Sequence, residues 1–250
     1  VLRDGVDVFG GAVTGGTLTS GTVALSSWAN NGANFDNVVV TEIPTIPSPI
    51  LLSDNFNDGD LSGWTVVDKG RFGGPSAWSV VNGEVNQATN IHDGWGGPHA
   101  ELSHRDGTFL HWDDAAALGW QDYTFETTIR STDDDGLGVL FYYTDASNYY
   151  KVDFDQQRSF STLFQVKDGV ETTLATTPGA GYTIGADTQL AITVTGSEIT
   201  VLRDGVDVFG GAVTGGTLTS GTVALYSWAN SGANFDNVVV TKIPTIPSPI

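Results

Sequence analysis

Residues 1–50 and 201–250 are one sequence written twice, differing only at Ser26/Tyr226, Asn31/Ser231 and Glu42/Lys242. The offset of 200 residues is far longer than the roughly 20–50 residues of solenoid and propeller units, so each period has room for a self-sufficient domain. Both copies close on Ile-Pro-Thr-Ile-Pro-Ser-Pro-Ile, at 43–50 and 243–250. Proline lacks a backbone donor and favours extended polyproline geometry, which predicts Pro-rich linkers over 42–50 and 242–250. The complete domain then spans 51–241, and residues 1–41 are expected to be the C-terminal strands of a preceding repeat. Without a partner sheet, Val6, Val8, Val23, Leu25, Phe35, Val38 and Val40 of that segment would lie exposed, and a few lone strands are marginal in water. Either the chain is a window on a longer tandem array, or its first strands complete a domain in a neighbouring chain.

Charge excludes several partners. Ten Lys and Arg stand against 29 Asp and Glu, a formal charge of −19, and such a field repels phosphate backbones and anionic headgroups. Neither nucleic acid nor membrane insertion is expected, and no apolar run approaches the roughly 20 residues of a membrane helix. An excess of carboxylates does attract divalent cations, which introduces calcium as a cofactor. Cysteine and methionine are absent, so disulfides and thiol chemistry are excluded. A sulfur-free, Gly-rich composition suits an extracellular or cell-surface protein.

Within 51–241, β-branched and aromatic runs alternate with Gly, Asn and Asp turns about every ten residues, the pattern of an all-β sandwich. Strands are expected at Trp64–Val67, Trp78–Val81, Glu84–Gln87, Tyr123–Ser131, Gly138–Tyr143, Tyr149–Asp155, Ser161–Lys167, Glu171–Ala175, Thr188–Thr195, Glu198–Arg203, Val206–Phe209, Gly221–Ser227 and Asn234–Thr241. Three Asx-Gly pairs, Asn82-Gly83, Asp168-Gly169 and Asp204-Gly205, supply the positive φ angles of tight primed turns and predict an antiparallel meander. Residues 90–120 break this rhythm and read as a long loop.

Six motifs occur in order: Asp54-Asn-Phe-Asn-Asp-Gly, Trp78-Ser-Val-Val-Asn-Gly, Asp133-Asp-Asp-Gly-Leu-Gly-Val-Leu-Phe, Asn148-Tyr-Tyr-Lys-Val, Lys167-Asp-Gly-Val and Ala233-Asn-Phe-Asp-Asn-Val. Together they resemble the laminin G-like and thrombospondin C-terminal-like branch of the concanavalin A-like jelly rolls over nearly all of 51–241. The resemblance implies an antiparallel two-sheet jelly-roll sandwich, often with structural calcium, in secreted or surface proteins. It covers lectins, carbohydrate-binding modules and plain spacers, so it does not fix the function.

Five candidate sites follow. By the resemblance, Asp134 and Asp135 are calcium ligands; the other reading of Asp133-Asp134-Asp135 is a solvated acidic turn. Asp54 and Asp236, in the first and last strands, would share a second cation if those strands lie side by side; otherwise Asp236 and Asn237 bond locally. For sugar recognition, Trp95, His99, Trp112 and Asp113, with Tyr142 and Tyr143 nearby, offer flat faces beside polar groups. Trp64, Trp78 and Trp228 read as packing residues instead. His92, His99, His104 and His111 cluster without zinc-helix spacing, and Thr45, Ser48, Thr245 and Ser248, flanked by proline, suit O-glycosylation. Glu126 and Asp153 are strand carboxylates that would have to face one sheet for glycosidase chemistry, and no hydrolase signature accompanies them, so no enzyme activity is expected. The leading expectation is a structural repeat of a long extracellular filament or adhesin stalk whose partners are neighbouring copies. The alternative is a calcium-dependent, lectin-like carbohydrate-binding module with glycans as partners.

Overall fold

The computed structural model describes residues 2–3, 6–7, 24–28, 31–36, 38, 49–94, 105–179 and 181–244. Two compact units are present, Val1–Thr45 and Ile46–Ile250. In the first, β1 (Leu2–Arg3) and β2 (Val6–Asp7) form an antiparallel pair with Leu2 opposite Asp7 and Arg3 opposite Val6. Leu25, Trp28, Phe35 and Val38 of this unit are exposed.

The second unit contains β3 (Ile50–Asp54), β4 (Trp64–Asp68), β5 (Trp78–Val81), β6 (Glu84–Gln87), β7 (Thr108–Trp112), β8 (Tyr123–Ser131), β9 (Gly136–Asp145), β10 (Asn148–Asp155) and β11 (Phe160–Lys167). It continues with β12 (Val170–Pro178), β13 (Thr188–Thr195), β14 (Glu198–Arg203), β15 (Val206–Asp207), β16 (Thr222–Trp228) and β17 (Ala233–Lys242). A 3-10 turn over Ala115–Gly119 interrupts them, capped by the Asp114 carboxylate, which accepts from the Ala116 amide. Seven strands form one sheet in the order β12-β11-β10-β9-β16-β7-β4. The other runs β15-β14-β13-β8-β17-β6-β5, with β3 also paired to β17. Every pairing is antiparallel.

All three Asx-Gly turns form. Asn82 and Gly83 sit at φ 56° and 83°, Asp168 and Gly169 at 51° and 76°, and Asp204 and Gly205 at 49° and 76°, the left-handed pairs that match the twist of flanking strands. Between the sheets lies one apolar core that includes Phe125, Ile129, Val139, Phe141, Tyr150, Val152, Phe154, Ile192, Leu225, Phe235 and Val240. Strand alternation writes this directly: in β10, Tyr150, Val152 and Phe154 point inward, which sends Tyr149, Lys151, Asp153 and Asp155 to the opposite face.

The segment 90–120, expected as a loop, contributes β7 to the interior of the seven-stranded sheet, between β16 and β4. Phe109 and Leu110 serve opposite faces of it. Glu126 and Asp153 lie in different sheets, on β8 and β10, so they do not form a facing carboxylate pair. The reason is topological: alternation along a strand does not say which sheet the strand joins.

Gly138 of β9 stands between Asp153 and Tyr226 of the neighbouring strands. A Cβ there would lie 1.9 Å from the Val152 carbonyl oxygen. Gly138→Ala is expected to cost about 1–3 kcal/mol through backbone displacement, seen as a lower urea midpoint at unchanged m; an unchanged midpoint would contradict this close approach.

Candidate functional site

The outward face of the seven-stranded sheet is not a plain solvent face. It carries a second buried cluster of Phe109, Leu140, Tyr143, Tyr149, Val166, Ala224, Tyr226, Trp228 and Ala229. Set among these rings are Lys151 and Asp153, side chains that seldom leave water. Lys151 is paired with Glu171 at 3.1 Å and lies 4.9 Å from the Phe164 ring centroid and 5.2 Å from that of Tyr226. Lys69 reaches over the same surface, 5.4 Å from the Tyr149 centroid, and pairs with Asp106 at 2.9 Å.

A denser charge group occupies the other end of the face. Arg105 Nη1 donates to Asp155 Oδ2 at 2.6 Å and to Asp153 Oδ2 at 3.1 Å. Its guanidinium lies 4.2 Å from the Phe160 centroid and 4.9 Å from that of Trp228. Arg158 bridges Asp155 and Asp135 at 2.9 and 2.7 Å. Asp153 Oδ1 and Arg105 Nη2 are buried without a hydrogen-bond partner among the described residues. Burial pushes the Asp153 carboxyl above the usual carboxylate range, against the pull of Arg105 and Lys151. The Arg105 guanidinium is held above its ordinary value: burial opposes the charge, but Asp153 and Asp155 outweigh it. Two polar atoms left unmatched in a low-dielectric setting are costly, and such groups mark places built for something other than packing.

Toward β4, half-buried His111 lies against the buried Tyr143 ring, with centroids 4.8 Å apart and planes inclined by 31°. Exposed Asp113 accepts from the Thr65 hydroxyl at 2.8 Å. An accessible imidazole backed by a buried phenol and flanked by a carboxylate and a hydroxyl forms a shelf suited to a polyhydroxylated ring.

The expected sugar-binding residues are divided by this geometry. Asp113 and Tyr143 border the shelf, whereas Trp112 packs on the core side, edge-on to Trp64 with centroids 5.6 Å apart. The alternation that turns Trp112 inward turns His111 outward. Trp95, His99 and His104 lie outside the described residues, as do Thr45, Ser48, Thr245 and Ser248. Of the remaining histidines, His92 stacks on Phe72 with centroids 5.4 Å apart, well away from a cluster with His111. Trp64 and Trp78 pack with the core, their indole N–H groups donating to Asp54 and to the Thr108 hydroxyl. Trp228 is buried too, but on the outward face, donating to Asp93 at 2.9 Å.

Of the expected calcium ligands, Asp54, Asp135 and Asp236 accept from protein donors. Strands β3 and β17 do lie side by side, with Asp54 opposite Val238. Asp54 accepts from the Phe56 amide and the Trp64 indole, and Asp236 from the Asn237 amide and side chain. Burial, and then the neighbouring carboxylates, raise the Asp236 pKa despite the Asn237 amide. Asp133, Asp134 and Asp135 bring carboxylate oxygens within 4.8 Å of one another. Within that group Asp133 accepts from the Ser231 amide and hydroxyl, and Asp135 pairs with Arg158.

The reading of the sequence missed Arg105, Lys151, Asp155, Arg158 and Glu171. One signal was present: Lys151, Asp153 and Asp155 alternate with large apolar residues in β10, so one face of that strand carries charge while the other carries core.

The model of the 3-keto-alpha-glucoside-1,2-lyase-like domain matches residues 53–241. A comparison with curated proteins finds no match. Among solved structures, the fold is similar to the carbohydrate binding module CBM66 from Bacillus subtilis, at 17% identity and TM-score 0.55, covering 72% of this chain and 96% of that one. Domain 4 of AbnA, a GH43 extracellular arabinanase from Geobacillus stearothermophilus solved with arabinotriose, aligns at 14% identity and TM-score 0.52, covering 81% and 97%. A Bacillus subtilis protein of unknown function with a galectin-like fold aligns at 9% identity and TM-score 0.55, covering 79% and 97%. The sandwich is thus a concanavalin A-like, galectin-like jelly roll. Over residues 53–241 the chain belongs to the family of 3-keto-alpha-glucoside-1,2-lyase-like domains.

Proposed function

We propose that the sandwich binds a carbohydrate on the outward face of its seven-stranded sheet, without turning it over, in a protein that works outside the cell. The observation that carries this reading is the face itself: it bears the half-buried His111 ring beside Asp113 and Thr65, and a buried set of charges whose Asp153 Oδ1 and Arg105 Nη2 have no partner among the described residues. A spacer has no use for such a surface, since buried unpaired polar groups lower stability without adding reach. The family description names a glucoside, and two similar folds are a carbohydrate binding module and an arabinanase domain holding arabinotriose. These support carbohydrate binding over the stalk that the repeat suggests.

The sugar ring would lie against the His111 ring, with Asp113 and Thr65 bonding its hydroxyls. Isothermal calorimetry with gluco- and arabino-oligosaccharides and with a 3-keto-α-glucoside tests this. Saturable binding is expected, and His111→Ala should weaken it about tenfold, the loss of one stacking contact, with little change in thermal stability. No heat with any of these ligands, or equal affinity in the variant, would overturn the assignment to this face. Consumption of the 3-keto-α-glucoside, followed by chromatography, would replace binding with catalysis.

A further inference from the structure

The duplicated sequence meets two different environments. In the second unit, Leu225, Trp228, Phe235 and Val238 are buried in β16 and β17. Their copies Leu25, Trp28, Phe35 and Val38 are exposed, Trp28 at 92% against 3% for Trp228. The local structure is shared in part: residues 24–28 and 33–36 carry no strand where 224–228 and 233–236 do, but the short hairpin ahead of them is repeated. Leu2 opposite Asp7 repeats Leu202 opposite Asp207, and Arg3 opposite Val6 repeats Arg203 opposite Val206.

We propose that residues 22–42 are a second, interchangeable copy of the strand pair β16–β17 and can take the seat of residues 222–242 in the same sandwich. That seat is central: β16 lies between β9 and β7, and β17 pairs with β8, β6 and β3. The connection it requires is already present in the sequence. Thr241 is opposite Ile50, and the Lys242 amide donates to the Pro49 carbonyl at 3.0 Å, so a seated segment ends beside the start of β3. A segment ending at Thr41 would reach Ile50 through residues 42–49, a hairpin loop, and closing so short a loop costs little more than the common shorter ones. Apart from Tyr226, the apolar residues that the seat buries are identical in the two copies.

All three differences between the copies fall within this strand pair, and two of them set which copy sits. Tyr226 is fully buried and its hydroxyl donates to the Arg105 carbonyl at 2.8 Å; Ser26 would leave a cavity there. The Ser231 amide and hydroxyl both bond Asp133, and Asn31 has no hydroxyl to repeat the second of these. The C-terminal copy is therefore the preferred occupant and the N-terminal copy the reserve.

Two cysteine pairs in the otherwise cysteine-free full chain report which copy is seated. Ser53 is opposite Val239, so Ser53→Cys with Val239→Cys traps the C-terminal copy, and Ser53→Cys with Val39→Cys traps the N-terminal one. Cross-links formed in a glutathione buffer are read by peptide mass spectrometry without reduction. In the parent chain the 53–239 link should dominate. Adding Ser26→Tyr, which leaves the C-terminal copy intact, should raise the 53–39 link by more than about tenfold, as should Tyr226→Ser. If neither substitution raises it, or if the 53–39 link joins only different chains, the exchange does not occur.

Discussion

Above about pH 10 the sandwich is expected to unfold over a narrow interval, releasing most of its tyrosine protons together. The chain has seven tyrosines, Tyr123, Tyr142, Tyr143, Tyr149, Tyr150, Tyr182 and Tyr226, and all seven are buried. Burial is the first cause that raises each phenol: Tyr143 is pushed up to about 12, and Tyr226, Tyr149, Tyr123, Tyr182, Tyr142 and Tyr150 are all raised. The unfolded chain ionises these groups near pH 10 while the native one holds their protons, so the unfolded state binds fewer protons and stability falls as pH rises. The stability they contribute is complete below the unfolded value and is lost on passing above it. Each tyrosine removes about 1.4 kcal/mol per pH unit, and seven together about 10 kcal/mol, comparable to the whole stability of a domain. Phenolate absorbance and near-ultraviolet circular dichroism should change together in one steep transition. Gradual phenolate formation with the dichroism intact would show that these rings are open to water.

Removing the Arg105 guanidinium should have the largest effect of any single charge. Arg105→Leu strips Asp153 of its bonded partner and leaves Asp155 only Arg158. Breaking a buried pair by deleting one member costs about 3–5 kcal/mol, because the surviving charge stays desolvated. In a unit of this size that lowers Tm by roughly 10 °C. Adding Asp153→Asn should recover much of the loss, so the double-mutant cycle reads a strong coupling. The sign with pH is defined as well. An Asp153 deprived of Arg105 has its folded pKa raised further by burial, so the native state takes up its proton first and the deficit shrinks as pH falls toward the unfolded value near 4. A loss under about 1 kcal/mol, or one that grows at acid pH, would mean that the pair is solvated.

Much of the fold was legible because it depends on local rules. Period-two alternation placed Tyr150, Val152 and Phe154 in a core, and Asn82-Gly83, Asp168-Gly169 and Asp204-Gly205 fixed three hairpins through backbone sterics alone. The same patterns gave an all-β sandwich, and the concanavalin A-like architecture was implied by the resemblance that six ordered motifs carry. The candidate site was less legible. Trp112 and Asp113 are adjacent, yet β7 turns one to the core and leaves the other at the edge of the shelf. Since 90–120 read as a loop, no alternation was available to separate them. Asp153 was noticed, but with Glu126, a residue of the other sheet, as its companion.

By itself, then, the amino-acid order determined an antiparallel β architecture, its tight turns, its acidic character, and the duplication of the closing segment. Only the tertiary structure decided which strands share a sheet, and so that Arg105 meets Asp153 and Asp155 across 48 and 50 residues of chain. It also decided that one copy of the repeat is buried while Trp28 and Phe35 of the other remain exposed. Turns and strand faces depend on neighbouring residues, whereas burial and charge pairing depend on which distant surfaces exclude water from one another.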